Sequence, residues 1–256
     1  MTIVSDVKER GYGAVRDWAI ELDGLEPVRA IAEGDIPEYV QDGVVDCGIT
    51  GLDLVRERGA VVRELLPLGF GSCRLEAAVP EESDALALAD LAGASVATVY
   101  PRLARALLPV DVTLVDVSGS VEIAPRLGLA DAIVDLVSSG STMRTNGLRS
   151  LGSLLESEAV LVARDDPAAA PFAAMLRAVV DARRHRYVML NAPESALDEI
   201  AALLAPRLPS VLPLAEPGMV AVHALVHTAD VWQLLPQLEA AGGSSILIVP
   251  VERMAA

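Results

Sequence analysis

The chain has 256 residues, 52% hydrophobic and 22% charged, enough to bury one substantial core or to divide into two or three small domains. Its formal charge of −16, from 36 acidic against 20 basic residues, argues against a nucleic-acid partner. It leaves room for a phosphorylated small molecule, because backbone N–H groups bind phosphate without net positive charge. No apolar run reaches the ~18 residues that a membrane helix needs. The opening MTIVSDVKERGYG has no apolar stretch of signal-peptide type, so a cytoplasmic location without membrane contact is expected.

In chain order, residues 35–43 read as a short helix, with Asp35 at the N-cap, Pro37 in the first turn and Gly43 at the end. Residues 44–50 (VVDCGIT) form a buried strand running into CGITGLDL, a strand, glycine turn and helix start with Asp53 in the first helical turn. A plain turn has the same composition. Cys47 and Cys73 sit in apolar settings far apart in sequence, so free thiols are expected rather than a disulfide. RLEAAVP (74–80) is a strand and DALALADLAG (84–93) a helix. ASVATVYP (94–101) is a strand with Tyr100 at its end, where a ring could stack on a base or serve as an ordinary boundary residue. Residues 102–108 form a helix, 112–120 a strand and VEIAPRLGLA (121–130) a helix.

The stretch DAIVDLVSSGSTMRTNGL (131–148) concentrates the chemistry. As a strand, 131–137 points Asp131 and Asp135 the same way. Such carboxylates accept hydrogen bonds from ribose hydroxyls or hold Mg²⁺ through water. SSGST (138–142) can wrap a phosphate with backbone N–H groups and the hydroxyls of Ser139, Ser141 and Thr142, while Gly140 allows close backbone approach. A structural turn explains that composition equally well. Residues 157–164 form a further strand, followed by a helix to about Arg184. Alternating strands and helices predict a mostly parallel sheet covered on both faces, with ligands at the carboxyl ends of the strands. After Arg184 the order becomes strand, helix, strand, strand, helix, strand, the ferredoxin-like pattern. His223 reads as a half-buried strand histidine. His185, His223 and His227 make no Cys/His cluster, so no zinc site is expected, and no nucleophilic triad can be assigned.

Taken together these segments resemble the long form of ATP phosphoribosyltransferase, the first enzyme of histidine biosynthesis. The matching runs are DIPEYVQDGVVDCGITGLDLV, CRLEAAVP, VATVYPRLAR, VSGSVEIAPRLGLADAIVDLVSSGSTMRTNGL and SEAVLVAR, then RYVMLNAPESALDEIAALL, SVLPLAEPGMVAVHALV and AAGGSSILIVPVERM. The resemblance spans about Tyr12 to Met254. It implies an α/β fold: a bilobal, type II periplasmic-binding-protein-like catalytic part and a C-terminal ferredoxin-like regulatory domain. Lobe I would take residues 1–78 and 160–184, lobe II 79–159 and the regulatory domain 185–256.

It also implies the condensation of ATP with phosphoribosyl pyrophosphate (PRPP) to phosphoribosyl-ATP and pyrophosphate, a Mg²⁺-dependent glycosyl transfer inhibited by histidine. By the same resemblance, Asp131 and Asp135 lie near the ribose and Ser138, Ser139, Gly140, Ser141 and Thr142 hold the PRPP phosphate. Gly48, Thr50, Gly51, Asp53 and Tyr100 form the ATP side. Ser210, Ser244 and Ser245 are the candidate contacts for histidine, the metal ligands stay unassigned, and dimers assembling into hexamers are the expected homo-oligomer.

Two departures stand out. The family's opening strand and Pro-Lys-Gly loop are not found, which is the expectation for a start lying after that region. The basic residues usual before DIP and after GITG are replaced by Ala32, Glu33 and Gly34, and by Leu52. A non-catalytic protein that keeps PRPP and histidine binding is therefore the alternative reading.

Overall fold

The computed structural model describes residues 35–254, apart from 118, 165–166 and 206–207. The opening region that carries the first departure, with Ala32, Glu33 and Gly34, lies outside the described residues.

The first compact unit ends at Ala173. Within it, a three-stranded sheet of order β1-β8-β2 is built from β1 (Cys47–Gly51), β2 (Arg63–Pro67) and β8 (Ala159–Ala163). Helices α1 (Ile36–Gln41) and α2 (Leu52–Arg58) accompany it. Ile36, Val40, Val45, Val55, Val160 and Val162 form their shared core. Asp35 stands at the N-cap of α1 but makes no side-chain cap, because its carboxylate turns to Arg58, 3.3 Å away.

The second sheet has the order β5-β4-β6-β3-β7, from β3 (Cys73–Pro80), β4 (Ser95–Thr98), β5 (Thr113–Asp116), β6 (Ala132–Val137) and β7 (Leu148–Ser157). Helix α3 (Pro101–Leu107) follows β4, and α4 (Ser141–Thr145) links β6 to β7. Leu75, Ala77, Val79, Val96 and Val134 fill one face of this sheet. Ala78, Ile133, Val137 and Met143 fill the other, the alternation a two-residue period requires.

The chain crosses between the two sheets twice, from β2 to β3 and from β7 to β8. The crossings run side by side, with Leu68 N–H donating to Ala159 C=O at 2.9 Å and Ala159 N–H to Phe70 C=O at 3.0 Å. Two α/β lobes joined by paired crossings are the bilobal arrangement expected.

The expected mostly parallel sheet is corrected. Among the described residues only β4–β5 and β4–β6 pair in parallel, while β3 with β6 and β7, and β8 with β1 and β2, are antiparallel. The strands that enter each lobe from a crossing, β3 and β8, bring this about, since each runs against both of its neighbours. Residues 84–93 form a single 3-10 turn at Leu88–Leu91, not a helix. Arg149 takes the Ser83 and Ala85 carbonyls (2.7 and 2.5 Å), and the Asp90 carboxylate takes the Leu86 and Ala87 N–H groups. Residues 121–130 likewise give only a 3-10 turn at Val121–Ile123, because Pro125 has no N–H to continue a helix.

The second unit begins at Ala174, within α5 (Ala170–Arg183). It carries β9 (His185–Pro193), α6 (Leu197–Leu203), β10 (Ser210–Pro213), β11 (Met219–His227), α7 (Val231–Ala240) and β12 (Ser244–Pro250). The antiparallel order β10-β11-β9-β12 is the ferredoxin-like topology. Val188, Leu190, Val222 and Val226 pack with Ile200 and Leu238 of the helices, so one sheet face is covered by α6 and α7. No described helix is long and apolar enough to cross a membrane.

Candidate functional site

β6 delivers the chain to the hydroxyl-rich loop. Gly140 has φ +70°, a left-handed conformation that costs a side-chain-bearing residue, and it stands at the N-cap of α4. Ser138, Ser139, Ser141 and Thr142 are exposed there. Ser139 and Ser141 hydroxyls lie 2.9 Å apart, and Ser141 N–H donates to Ser139 Oγ at 3.4 Å. Thr145 Oγ1 donates to Ser141 C=O and Asn146 Nδ2 to Thr142 C=O, both at 2.9 Å, which locks the turn from its far side. The loop thus presents hydroxyls and first-turn N–H groups together.

Sequence reasoning missed one partner here. Arg144 Nη2 donates to Ser139 C=O at 3.3 Å, and Nη1 lies 3.0 Å from where a Cβ on Gly140 would sit. That exposed guanidinium supplies positive charge to a loop in an acidic protein. Its signal was the Arg in STMRTNG, which the serines and glycine overshadowed.

Asp135 lies three residues before Ser138, half-buried. Burial pushes its carboxyl up from the usual range, Leu136 N–H draws it down, and Glu122 pushes it up again. Glu76 sits directly opposite it across β3 and β6, so the two carboxylates share a sheet face. Arg74 holds Glu76 at 2.6 Å. Glu76 and Arg74 are further groups that only strand register could bring to the site. Asp131 is not brought to the loop. It precedes β6 at the opposite end, where Ser95 N–H and Oγ donate to Oδ2 at 2.8 and 2.6 Å and hold its carboxyl below the usual range. The ribose placement expected for Asp131 is corrected accordingly: it is a strap between β4 and β6.

In the turn expected to form the ATP side, Asp53 is buried (4% exposed) and fully engaged. Ser157 Oγ donates to Oδ1 at 2.5 Å, Tyr100 Oη donates to Oδ2 at 3.0 Å, and Asp53 N–H donates to Ser157 Oγ at 3.0 Å. Oδ1 lies 2.4 Å from where a Cβ on Gly51 would sit. Tyr100, 7% exposed, packs its ring among Leu75, Leu103 and Leu91, so the ring is not presented to a base and that expectation is corrected. Burial, then the Asp53 charge, pushes the phenol far up.

Gly48 is likewise explained by packing, since a Cβ there would lie 2.3 Å from Ile36 Cγ2. Thr50 is the exception in this turn, with a buried Oγ1 that has no hydrogen-bond partner. Both cysteines are free, as expected, and burial followed by Asp46 raises the Cys47 thiol to about 11.

In the C-terminal unit, Ser210 lies on edge strand β10, and Ser244 and Ser245 on the opposite edge strand β12. Three strand spacings, ~14 Å, separate the edges, so one chain does not bring these serines together. Ser244 Oγ donates to Asn191 C=O at 3.2 Å, and Ser245 has φ +51° at the β12 bulge. His223 is half-buried as expected, its Nδ1 3.3 Å from Tyr187 Oη.

A family profile described as ATP phosphoribosyltransferase matches residues 32–181, and one described as HisG, C-terminal domain, matches 182–253. An ATP phosphoribosyltransferase of Halobacterium salinarum is 47% identical over 252 residues, covering 93% of this chain and 89% of the relative. One from Methanopyrus kandleri is 41% identical over 238 residues, covering 89% and 83%. Among solved structures, the ATP phosphoribosyl transferase (HisG:HisZ) complex from Thermotoga maritima aligns with a TM-score of 0.48 at 25% identity, covering 52% of this chain and 67% of that one.

Proposed function

The chain belongs to the ATP phosphoribosyltransferase family, and on that premise we propose that it joins ATP to PRPP at the loop from Ser138 to Thr142. This is the first step of histidine biosynthesis. N1 of the adenine attacks C1 of the ribose, the C1–O bond to pyrophosphate breaks, and the adenine gives up one proton. Relatives named for the transferase, matching nearly the whole chain, favour this over the non-catalytic alternative.

The observation that carries the residue assignment is the loop itself: a left-handed Gly140, clustered hydroxyls and the Arg144 guanidinium, directly after Asp135. Ser138, Ser139, Ser141 and Thr142 hold the 5′-phosphate, and Arg144 offsets its charge. Asp135 faces the ribose, where a carboxylate steadies positive charge developing at C1. Its half-buried position penalises the anion until a cation arrives, so the ionised form gains when that charge appears. No nucleophile is needed, since positioning two polyanions supplies much of the rate.

Among the described residues no group of three or more His, Cys, Asp or Glu could cage a metal. Mg²⁺ is ordinarily held by one or two carboxylates together with substrate phosphates, and Asp135 beside Glu76 fits that pattern. When bound, Mg²⁺ neutralises the leaving pyrophosphate. On the ATP side, the Thr50 hydroxyl is the group of the Gly48–Asp53 turn with an unmet hydrogen bond.

Histidine binding belongs to the ferredoxin-like unit, at Ser210 or at Ser244 and Ser245. A homo-oligomer is supported by edge strands whose Leu212 and Leu247 are exposed. A cytoplasmic setting accords with free Cys47 and Cys73.

Thr142→Ala tests the loop assignment. Its PRPP dissociation constant rises about tenfold, the loss of roughly one charge-assisted hydrogen bond, with histidine binding unchanged. Equal loss of both ligands overturns the assignment.

A further inference from the structure

The two lobes meet through more than their crossings, and the contact has two rows. Asp53 and Glu57 lie four residues apart and so share one face of α2. The first row is Asp53 with Ser157 and Tyr100, buried and beside the crossing at Glu158. The second row lies one helical turn further along α2. There Glu57 Oε1 accepts from Arg102 N–H at 3.0 Å and Oε2 from Leu103 N–H at 2.8 Å, satisfying two donors that the first turn of α3 cannot satisfy itself. Arg102 Nη1 in turn donates to the Arg58 carbonyl at the end of α2, at 3.4 Å.

A lobe I helix therefore caps a lobe II helix, and the second returns the cap to the first. Opposite partial charges of the helix ends favour the arrangement. Gly59, at φ +63°, ends α2, and a Cβ there would lie 2.2 Å from Arg102 Nη1, so the guanidinium occupies space that only glycine leaves.

The rows differ in exposure. The Asp53 bonds are buried, whereas the bonds from Arg102 are exposed and that from Leu103 is only part-buried. A rotation of the lobes about the inner row would stretch the outer row first, where water can replace it.

We propose that Glu57 is a positioning residue of the transferase: by capping α3 it sets the angle at which the lobes meet, and Asp53, Tyr100 and Ser157 form the pivot. This rests on the transferase reading, since the angle brings a ribose held by lobe II to an adenine held by lobe I.

The test compares the full chain with Glu57→Ala and Glu57→Gln, each checked for a cooperative melt. Hydrogen exchange at the Arg102 and Leu103 amides, solution scattering, kcat and the PRPP dissociation constant are measured. Glu57→Ala exchanges both amides at least tenfold faster, broadens the scattering profile and lowers kcat at least tenfold, while PRPP binding moves less than twofold. Glu57→Gln keeps one acceptor and recovers part of each effect.

Unchanged exchange, wild-type kcat despite exposed amides, or an equal loss of PRPP binding overturns the proposal. An inactive wild type refutes the transferase reading alone. Exchange and scattering then still decide whether Glu57 holds the lobes, and an unchanged scattering profile overturns it.

Discussion

At the scale of single residues, the loop was legible because its chemistry is local. Ser, Gly and Thr at consecutive positions announce a turn, and Gly140 takes the left-handed conformation such a turn requires. Gly140→Ala costs about 1 kcal/mol in backbone strain and raises the KM for PRPP, measured by melting and by steady-state kinetics. Glu76 opposite Asp135, with the Arg74 that holds it, and the Asp53–Tyr100 bond were not legible, because Glu76 meets Asp135 through strand register and Asp53 meets Tyr100 across the lobes. The same reason made Asp131 look equivalent to Asp135 when it is a strap on Ser95.

Asp135 also carries a pH signature. Its folded-state carboxyl lies above the ordinary value, so its contribution to stability is full below the unfolded value near 3.8 and is lost as pH rises through the raised one. Asp135→Asn removes that slope and raises Tm at neutral pH, yet lowers kcat by roughly 10²-fold if the carboxylate steadies the developing charge. A variant that loses stability at neutral pH, or keeps wild-type turnover, would count against this role.

At the scale of elements, strand and helix periods located β1, β3, β4, β5, β6 and β8 and short helices α1 to α3. They failed where long-range contacts override local preference. The Ala/Leu-rich 84–93 has helical composition, but Arg149 from β7 takes the carbonyls of Ser83 and Ala85 where a helix would begin. β7 itself escaped notice because two register shifts against β3 break the two-residue alternation of LRSLGSLLES. Sheet direction was misread for a related reason, since alternating elements predict parallel strands only where the chain stays within one lobe. The ferredoxin-like unit was readable because its order repeats in one uninterrupted segment. Leu75, fully buried on β3 between β6 and β7, holds this sheet together, and Leu75→Ala should cost about 2–5 kcal/mol in denaturant unfolding.

At the scale of the whole molecule, a charge of −16 meets two polyanionic substrates. Long-range repulsion slows their approach and is screened as the Debye length falls from about 30 Å at 0.01 M salt to about 8 Å at 0.15 M. At fixed Mg²⁺, the apparent KM for PRPP should therefore fall as salt rises over that range, the reverse of a basic enzyme. A steadily rising KM would mean that Arg144 and its neighbours dominate the field. The family was legible in the chain as a whole, above all from Val117 to Leu148, whereas the way the lobes are braced was not.

Mixing the purified chain with ATP, PRPP and Mg²⁺ and following phosphoribosyl-ATP with and without histidine is the deciding measurement. Turnover that histidine suppresses is the expected result. An absence of turnover while histidine still binds would contradict it.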